Sequence, residues 1–153
     1  MEVSDRNRIP LWLWGLAVLA VVLVMVAILG RSDGPTLRAI AASEAMSDEQ
    51  ARETAEKTLL AWTRERNAGH LDNLRELTCA NPPDTWVRRQ LDHAKAGTSL
   101  QPWTISALTS FTRNGSEWTL NGLSADFGGM FTLHIEDGRL RVCAMGPVPV
   151  PTT

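Results

Sequence analysis

Between Leu11 and Leu29 the chain carries no charged side chain. At about 1.5 Å per residue, a helix over this run of about 19 residues reaches roughly 28 Å, close to the ~30 Å hydrocarbon core of a bilayer. A helix that is apolar on every side has no face to offer water, so the run reads as a membrane span rather than a helix of a soluble core. A cleaved signal peptide fits less well. Its apolar stretch is about 7 to 15 residues and ends at small residues, whereas this one ends Ala27-Ile28-Leu29-Gly30-Arg31, and no cysteine follows to carry a lipid anchor. Residues 10–30 are therefore expected to form an uncleaved transmembrane signal anchor, preceded by a short cytoplasmic tail, 1–9. Pro10 suits the first turn of a helix, and Trp12 and Trp14 fall at headgroup depth. Arg6 and Arg8 on one flank face Arg31 and Arg38 on the other, so charge orients the span only weakly. Nine residues are too few for a domain, and a cysteine pair in the remainder favours an oxidising compartment. The expected topology is single-pass in the cytoplasmic membrane, amino terminus inside and carboxyl-terminal domain outside.

Lys and Arg number 15 against 17 Asp and Glu, for a net charge of −2 in 153 residues. That balance lacks the basic footprint on which phosphate-backbone binding depends, so nucleic acid is excluded as an expected partner. Residues 31–46, with Gly34-Pro35 and no sustained period, read as a linker. The folded domain is expected over 47–146. Ser47-Asp48-Glu49-Gln50 has the form of a capping box, and the apolar spacing Ala51, Ala55, Leu59, Trp62, with Thr58, predicts one buried helical face ending at Gly69. A second, short helix is expected from His70 to about Thr78, burying Leu71, Leu74 and Leu77 or Thr78. A third, capped by Asp84, carries Val87, Leu91 and Ala94 with Trp86 beside them and closes at Gly97.

From Trp103 onward β-forming residues alternate with turn signals: Thr104 to Arg113, Asn114-Gly115, Ser116 to about Phe127, Gly128-Gly129, Met130 to Glu136, Asp137-Gly138 and Arg139 to Met145. This predicts a meander of four antiparallel strands, with an interruption allowed at Asn121-Gly122, and a Pro-rich tail over 147–153. Helices followed by an antiparallel meander make an α+β domain, with helices gathered on one face of a curved sheet. Strict alternation across Asp137-Gly138 puts Phe131, Leu133, Ile135, Leu140, Val142 and Ala144 on one face. The other receives Met130, Thr132, His134, Arg141, Cys143 and Met145. Were the helices to cover the cysteine face, the more apolar one would be left for a dimer or partner.

The order of elements, with Gly69-His70-Leu71-Asp72-Asn73-Leu74-Arg75-Glu76-Leu77-Thr78-Cys79 and Asp137-Gly138-Arg139-Leu140-Arg141-Val142-Cys143, resembles the membrane-anchored NTF2-like domains of actinobacteria. It is similar to small lumazine-binding-like proteins and to Mce-associated membrane proteins, which pair a Leu-Thr-Cys helix end with a final Asp-Gly-x-Trp-x-Val-Cys strand. Leu140 stands in place of the aromatic, and His70 where an acid is common. The resemblance covers about residues 47–146 and implies a cone-shaped α+β fold, three helices on a curved four-stranded sheet. Relatives of that fold include ketosteroid-isomerase-like and dehydratase-like enzymes that use an Asp or His base with a Tyr donor.

Two cysteines in an exported domain allow one bridge, Cys79 to Cys143, with a buried free-thiol pair and a redox pair as alternatives. Closing a loop of about 65 residues contributes roughly 4 kcal/mol in the chain-entropy model. There is no Tyr in the chain. His134, Asp126 and His93 are the titratable candidates, each read more simply as a strand, turn or solvated helix residue, so no catalytic residue is assigned. Three scattered histidines and two cysteines do not make a zinc spacing, and no metal or cofactor is expected. Trp62, Trp86, Trp103 and Trp118, with His134, are the candidate lining of a pocket, against the simpler reading that the tryptophans are core. The sequence thus points to a non-catalytic, membrane-anchored domain for protein docking, to itself or to an envelope transport assembly. A module binding a small lipid-like ligand and an isomerase or dehydratase are the alternatives.

Overall fold

A computed structural model describes residues 35–125 and 127–148. The expected span 10–30, the tail 1–9, Asp126 and the last five residues lie outside the described residues. Among the described residues no helix is long and apolar enough to cross a membrane. The domain is α+β: three helices, α1 (Asp48–Ala68), α2 (Leu71–Glu76) and α3 (Thr85–Ala96), precede four strands, β1 (Ala107–Asn114), β2 (Glu117–Leu123), β3 (Gly128–Glu136) and β4 (Arg139–Gly146). The strands form one antiparallel sheet in the order β1-β2-β3-β4.

Helix α1 begins as its sequence dictates. The Ser47 hydroxyl accepts from the Gln50 amide, the Gln50 side chain accepts from the Ser47 amide, and Asp48 and Glu49 sit at the positive end of the helix dipole. Gly69, at φ 70°, ends it in the left-handed region. Ala51, Ala55, Thr58, Leu59 and Trp62 are all fully buried. Asp84 caps α3 by accepting from the Trp86 and Val87 amides. Helix α2 is shorter than expected, stopping at Glu76, so Leu77 is buried as its C-cap and Thr78 is buried where the chain turns to bridge Val142.

The sheet departs from strict alternation at two places, both in edge strands. In β1 the register shifts between Thr109 and Thr112, with Ser110 at φ 53°. In β4 it shifts opposite Thr132 and Leu133, which leaves Cys143 as the extra residue between Val142 and Ala144. Each bulge lets residues three apart face the same way. Leu108 and Phe111 both pack against the core from β1, and Met145 stands opposite Phe131 while Ala144 stands opposite Thr132. The expected grouping of Ala144 with Val142, and of Met145 with Cys143, is thereby corrected. The helices cover the apolar face: Trp62 meets Phe131 edge-on at 6.3 Å between centroids, and Phe131, Leu133, Leu140 and Val142 are fully buried. No uncovered apolar sheet face remains among the described residues. Leu60 is their one exposed large hydrophobic residue.

The turns differ in one detail. Asp137 and Gly138 both have positive φ, as a type I′ hairpin needs, but the first hairpin turns on Gly115-Ser116, with Asn114 paired to Glu117. Asn121-Gly122 does not interrupt β2. Gly128 and Gly129 are ladder residues of β3, paired to Leu123 and Gly122, and the connection is Ser124 to Phe127.

The outer edge of β4 is closed by three separate pieces of chain. The Leu140 amide donates to Ile40 O and the Ala42 amide to Gly138 O, both at 2.9 Å. The Val142 amide donates to Leu77 O at 2.9 Å, and the Cys79 amide to Val142 O at 3.0 Å. Beyond the bulge, the Met145 amide donates to Asp84 Oδ2 at 3.2 Å. The expected linker 31–46 is corrected accordingly. Its residues 37–42 belong to the domain, with Ala39 and Ala42 buried and the Leu37 and Ala39 amides held by Asn73 Oδ1 and Glu76 Oε1. The physical reason is the unpaired edge itself, since an open strand leaves a row of unsatisfied donors and acceptors.

Cys79 and Cys143 form a disulfide, with 5.0 Å between their Cα atoms and 64 residues of separation. It bonds the 77–79 segment to the bulge of β4. Replacing both cysteines by serine is expected to lower unfolding stability by about 3 kcal/mol in urea titrations. The wild-type chain in excess reductant should match it, and an unchanged midpoint in both would show that the bridge contributes nothing.

Candidate functional site

Three of the four candidate tryptophans lie in one aromatic ladder. Trp62 is at the buried end, 6.0 Å from Trp86. Trp86 stacks on Trp103 at 5.0 Å and 8° between planes, and Trp103 stacks on Phe127 at 5.0 Å and 16°. The ladder runs from the core to the surface, since Trp62 is fully buried and Trp86, Trp103 and Phe127 are half-buried. Trp118 stands apart from it, fully buried and edge-on to Phe111 at 6.0 Å, with its Nε1–H donating to Gly115 O. The four do not line one common cavity. Trp62 and Trp118 are core, and Trp62 Nε1–H donates to Thr78 Oγ1 at 2.9 Å, tying α1 to the closed edge. At the surface end, an open cleft of about 450 Å³ is lined by Trp103, Phe127, Gln101, Ser106 and Ser124 among others.

Two charged residues at the end of α1 are buried, which apolar periodicity gave no reason to expect. Arg66 is 5% exposed and has no carboxylate within ion-pair distance among the described residues. Its Nε–H donates to Gln90 Oε1 at 3.0 Å, and Nη1 donates to Asn67 Oδ1 at 2.8 Å and Gln101 O at 2.9 Å. The guanidinium lies 4.0 Å from the centre of a Trp103 ring. Neutral oxygens, a ring face and the negative end of the α1 dipole thus stand in for a counter-ion. Burial lowers the Arg66 pKa from its ordinary value. Asn67 completes the clamp by donating to Trp103 O and accepting from the Trp103 amide.

Glu65, also 5% exposed, points the other way. Its Oε1 accepts from Arg64 Nε at 2.9 Å, and its Oε2 lies 2.8 Å from His70 Nδ1 and 2.9 Å from Asn73 Nδ2. Burial acts to raise this carboxyl, but the hydrogen bonds from Asn73, His70 and Arg64 and the Arg64 charge together outweigh it and hold the pKa below its ordinary value. His70, read from sequence as a departure from a common acid, is the residue through which the α1–α2 corner meets this carboxylate.

His134 lies on β3 opposite Arg141, as its strand position predicted, with Nε2 3.1 Å from Glu117 Oε2 and 39% of its side chain exposed. It lines none of the clefts described here. His93 is exposed on α3, where its Nδ1 lies 3.0 Å from Thr98 Oγ1. Asp126 lies outside the described residues. The fold does what spacing alone did not suggest, bringing donor atoms of Cys79, Cys143 and His134 within 4.8 Å of one another. Both sulfurs are consumed in the disulfide, and a disulfide sulfur is not the thiolate that binds zinc.

A second groove, open and of about 590 Å³, is lined by Pro35, Arg38, Glu76, Arg139 and Arg141. Arg139 Nη1 donates to Glu76 Oε1 at 3.0 Å, and Arg141 Nη1 lies 3.5 Å from Glu136 Oε2. Compared with known proteins, the chain matches no family model, no curated protein and no solved structure.

The depressed Glu65 pKa fixes the sign of one pH effect. A carboxyl held low in the folded state stabilises fully above its unfolded-state pKa, and that contribution drains away as the pH falls through the folded value. Glu65→Gln is expected to be about 1 to 2 kcal/mol less stable than wild type at pH 7, with the gap closing below about pH 4. Urea midpoints measured at steps between pH 7 and pH 3 check this, and a pH-independent gap would show that the charge of Glu65 is not involved.

Proposed function

We propose that this chain is a single-pass membrane protein of the cytoplasmic membrane whose carboxyl-terminal domain, an NTF2-like cone, works outside the cytoplasm as a non-catalytic docking module. The disulfide supports the exported location, because such bridges persist in oxidising compartments. The uncharged run Leu11 to Leu29 supports the tether.

One observation carries the docking part. The sheet's two edges are treated oppositely: β4 is closed along its length, whereas no described segment pairs with the outer edge of β1. Beside the start of β1, a groove of about 350 Å³ is lined by Leu60, Ile105 and Leu108, with Arg52 and Glu56 at its rim. Leu60, 47% exposed, is the large apolar side chain left facing solvent there. An unpaired strand next to an apolar notch is a surface on which a protein partner gains both backbone hydrogen bonds and buried area. We assign that partner first to a second copy of the chain, and otherwise to an envelope transport assembly.

The lipid-like-ligand reading keeps one supporting observation, the open cleft at Trp103 and Phe127, since stacked rings at a surface can receive a flat apolar group. Only Trp103 of the four tryptophans lines that cleft, and Trp118 packs apart from the other three against Phe111.

Two measurements test the proposal. In spheroplasts of the expressing bacterium, added protease should remove the domain while the protein stays with membranes after alkaline washing; a protected domain would overturn the topology. A photoreactive residue at position 60 of the full chain should cross-link to protein in those membranes, and Leu108→Glu should reduce the yield at least about fivefold, as loss of one buried anchor implies. Absence of any cross-link would overturn the docking reading.

A further inference from the structure

We propose that the groove lined by Arg38, Arg139 and Arg141 is a binding site for a phosphate group. The three residues line one groove where the extended segment 37–42 passes along the first residues of β4, and the Arg139 and Arg141 guanidiniums both lie against Glu76. Two carboxylates lie among them, and both are already engaged. Glu76 Oε1 accepts from the Ala39 amide at 3.3 Å and from Arg139 Nη1 at 3.0 Å. Glu136 Oε2 accepts from the Ala80 amide at 3.0 Å and faces Arg141 Nη1 at 3.5 Å. The cations are not correspondingly satisfied. Arg38 is exposed and makes no hydrogen bond or ion pair among the described residues. Arg141, with a side chain only 16% exposed, has a buried Nε–H that lacks an acceptor, and its Nη2 lies 4.0 Å from Glu76 Oε2, beyond hydrogen-bond length.

The Nε–Nη2 side of a guanidinium is a two-donor fork that matches two oxygens of a phosphate. In Arg141 this fork is the unfilled side. A buried donor without a partner is uncommon enough to call for an explanation, and an oxyanion in the groove supplies one. It would accept from the Arg141 fork, after a small rotation that opens Nε to the groove, and take its remaining charge balance from Arg38 and Arg139. Glu76 also lines the groove and opposes an anion, and Glu136 faces Arg141 from beside it, but three cations against these two carboxylates still leave one positive charge in excess.

Two sources share this chemistry, a phospholipid headgroup and free phosphate. Arg38 follows the end of the uncharged run at Leu29 by nine residues, which extended chain spans in roughly 30 Å at most. That short leash favours the headgroup. The headgroup source rests on the proposed membrane anchor, whereas the groove itself does not.

The test uses the full chain in dodecyl maltoside micelles, titrated calorimetrically with inorganic phosphate at ionic strength held constant with sodium chloride. A second titration uses dihexanoyl phosphatidic acid. Saturable binding is expected, weakened about tenfold in Arg38→Gln, which removes a side chain with no structural partner, and similarly in Arg141→Lys, which keeps the charge and loses the fork. Arg88→Gln, on the exposed face of α3, should bind as wild type does. Phosphatidic acid binding at least about ten times tighter than phosphate, with the same loss in Arg38→Gln, assigns the headgroup; equal affinities assign free phosphate. No saturable heat beyond the chloride control, or equal affinity in wild type and Arg38→Gln, would overturn the site. Failure of the alkaline-wash experiment with phosphate binding intact would remove the anchor and leave the groove.

Discussion

The domain depends on the closing of one strand edge. β4 follows a tight hairpin and carries Leu140 and Val142 into the core, so it cannot be displaced, yet its outer side presents amides and carbonyls that need partners. Three stretches far apart in sequence answer it in turn. Ile40 and Ala42 serve the first residues, Leu77 and Cys79 the middle, and the Asp84 carboxylate the Met145 amide beyond the bulge. Asp84 does this while also capping α3, so one carboxylate joins a helix start to a strand end. The disulfide lies at the middle contact, where chain that has just left α2 must run parallel to β4 without a helical ladder of its own.

The helical layer meets the same demand with charges. Arg66 and Glu65 are neighbours in sequence, both nearly without solvent contact, and they do not pair with each other. Each is compensated by its own set of groups: Arg66 by Gln90, Asn67, the Gln101 carbonyl and Trp103, Glu65 by Arg64, His70 and Asn73. Single members of such sets are costly to remove, because the buried charge stays behind without its partner. Arg66 fastens the segment after α3 to the end of α1 and Glu65 fastens the α1–α2 corner, so the α1 terminus is a junction rather than a frayed end.

Much of this was legible in the sequence, and the parts that were not share a cause. Local chemistry announces itself: Ser47 with Gln50, Asp84, Gly69 and Asp137-Gly138 each satisfy a neighbour within a few residues, and each was read correctly. The buried stripe of α1 follows from its spacing. What period counting missed were the features set by distant chain. Residues 37–42 look like a linker because nothing nearby needs them; β4 does, a hundred residues on. The bulges at Ser110 and Cys143 reverse the alternation that a strand pattern assumes, although the three-residue spacings Leu108 to Phe111 and Val142 to Met145 carry the signal. Arg66, Glu65 and the Arg141 fork escaped because charged residues on a helix or strand are ordinarily solvated. Of the tryptophans, the aromatic content was evident, but only the fold could separate the ladder through Trp86 and Trp103 from the isolated Trp118.

The segment 37–42 also has a mechanical meaning. A force applied through the amino-terminal residues enters the domain along this segment and is borne first by the Leu37 and Ala39 amides on Asn73 and Glu76, then by the two bonds to Gly138 and Leu140. Those contacts can peel one after another, because no covalent link holds them. The next contact on the same edge, between Leu77–Cys79 and Val142, cannot follow, since the disulfide bonds it to the strand. Tension would therefore lengthen the chain leading into the domain by a few residues and expose the first residues of β4, while the disulfide keeps the middle of that edge closed and the load passes next to α1 and its buried face.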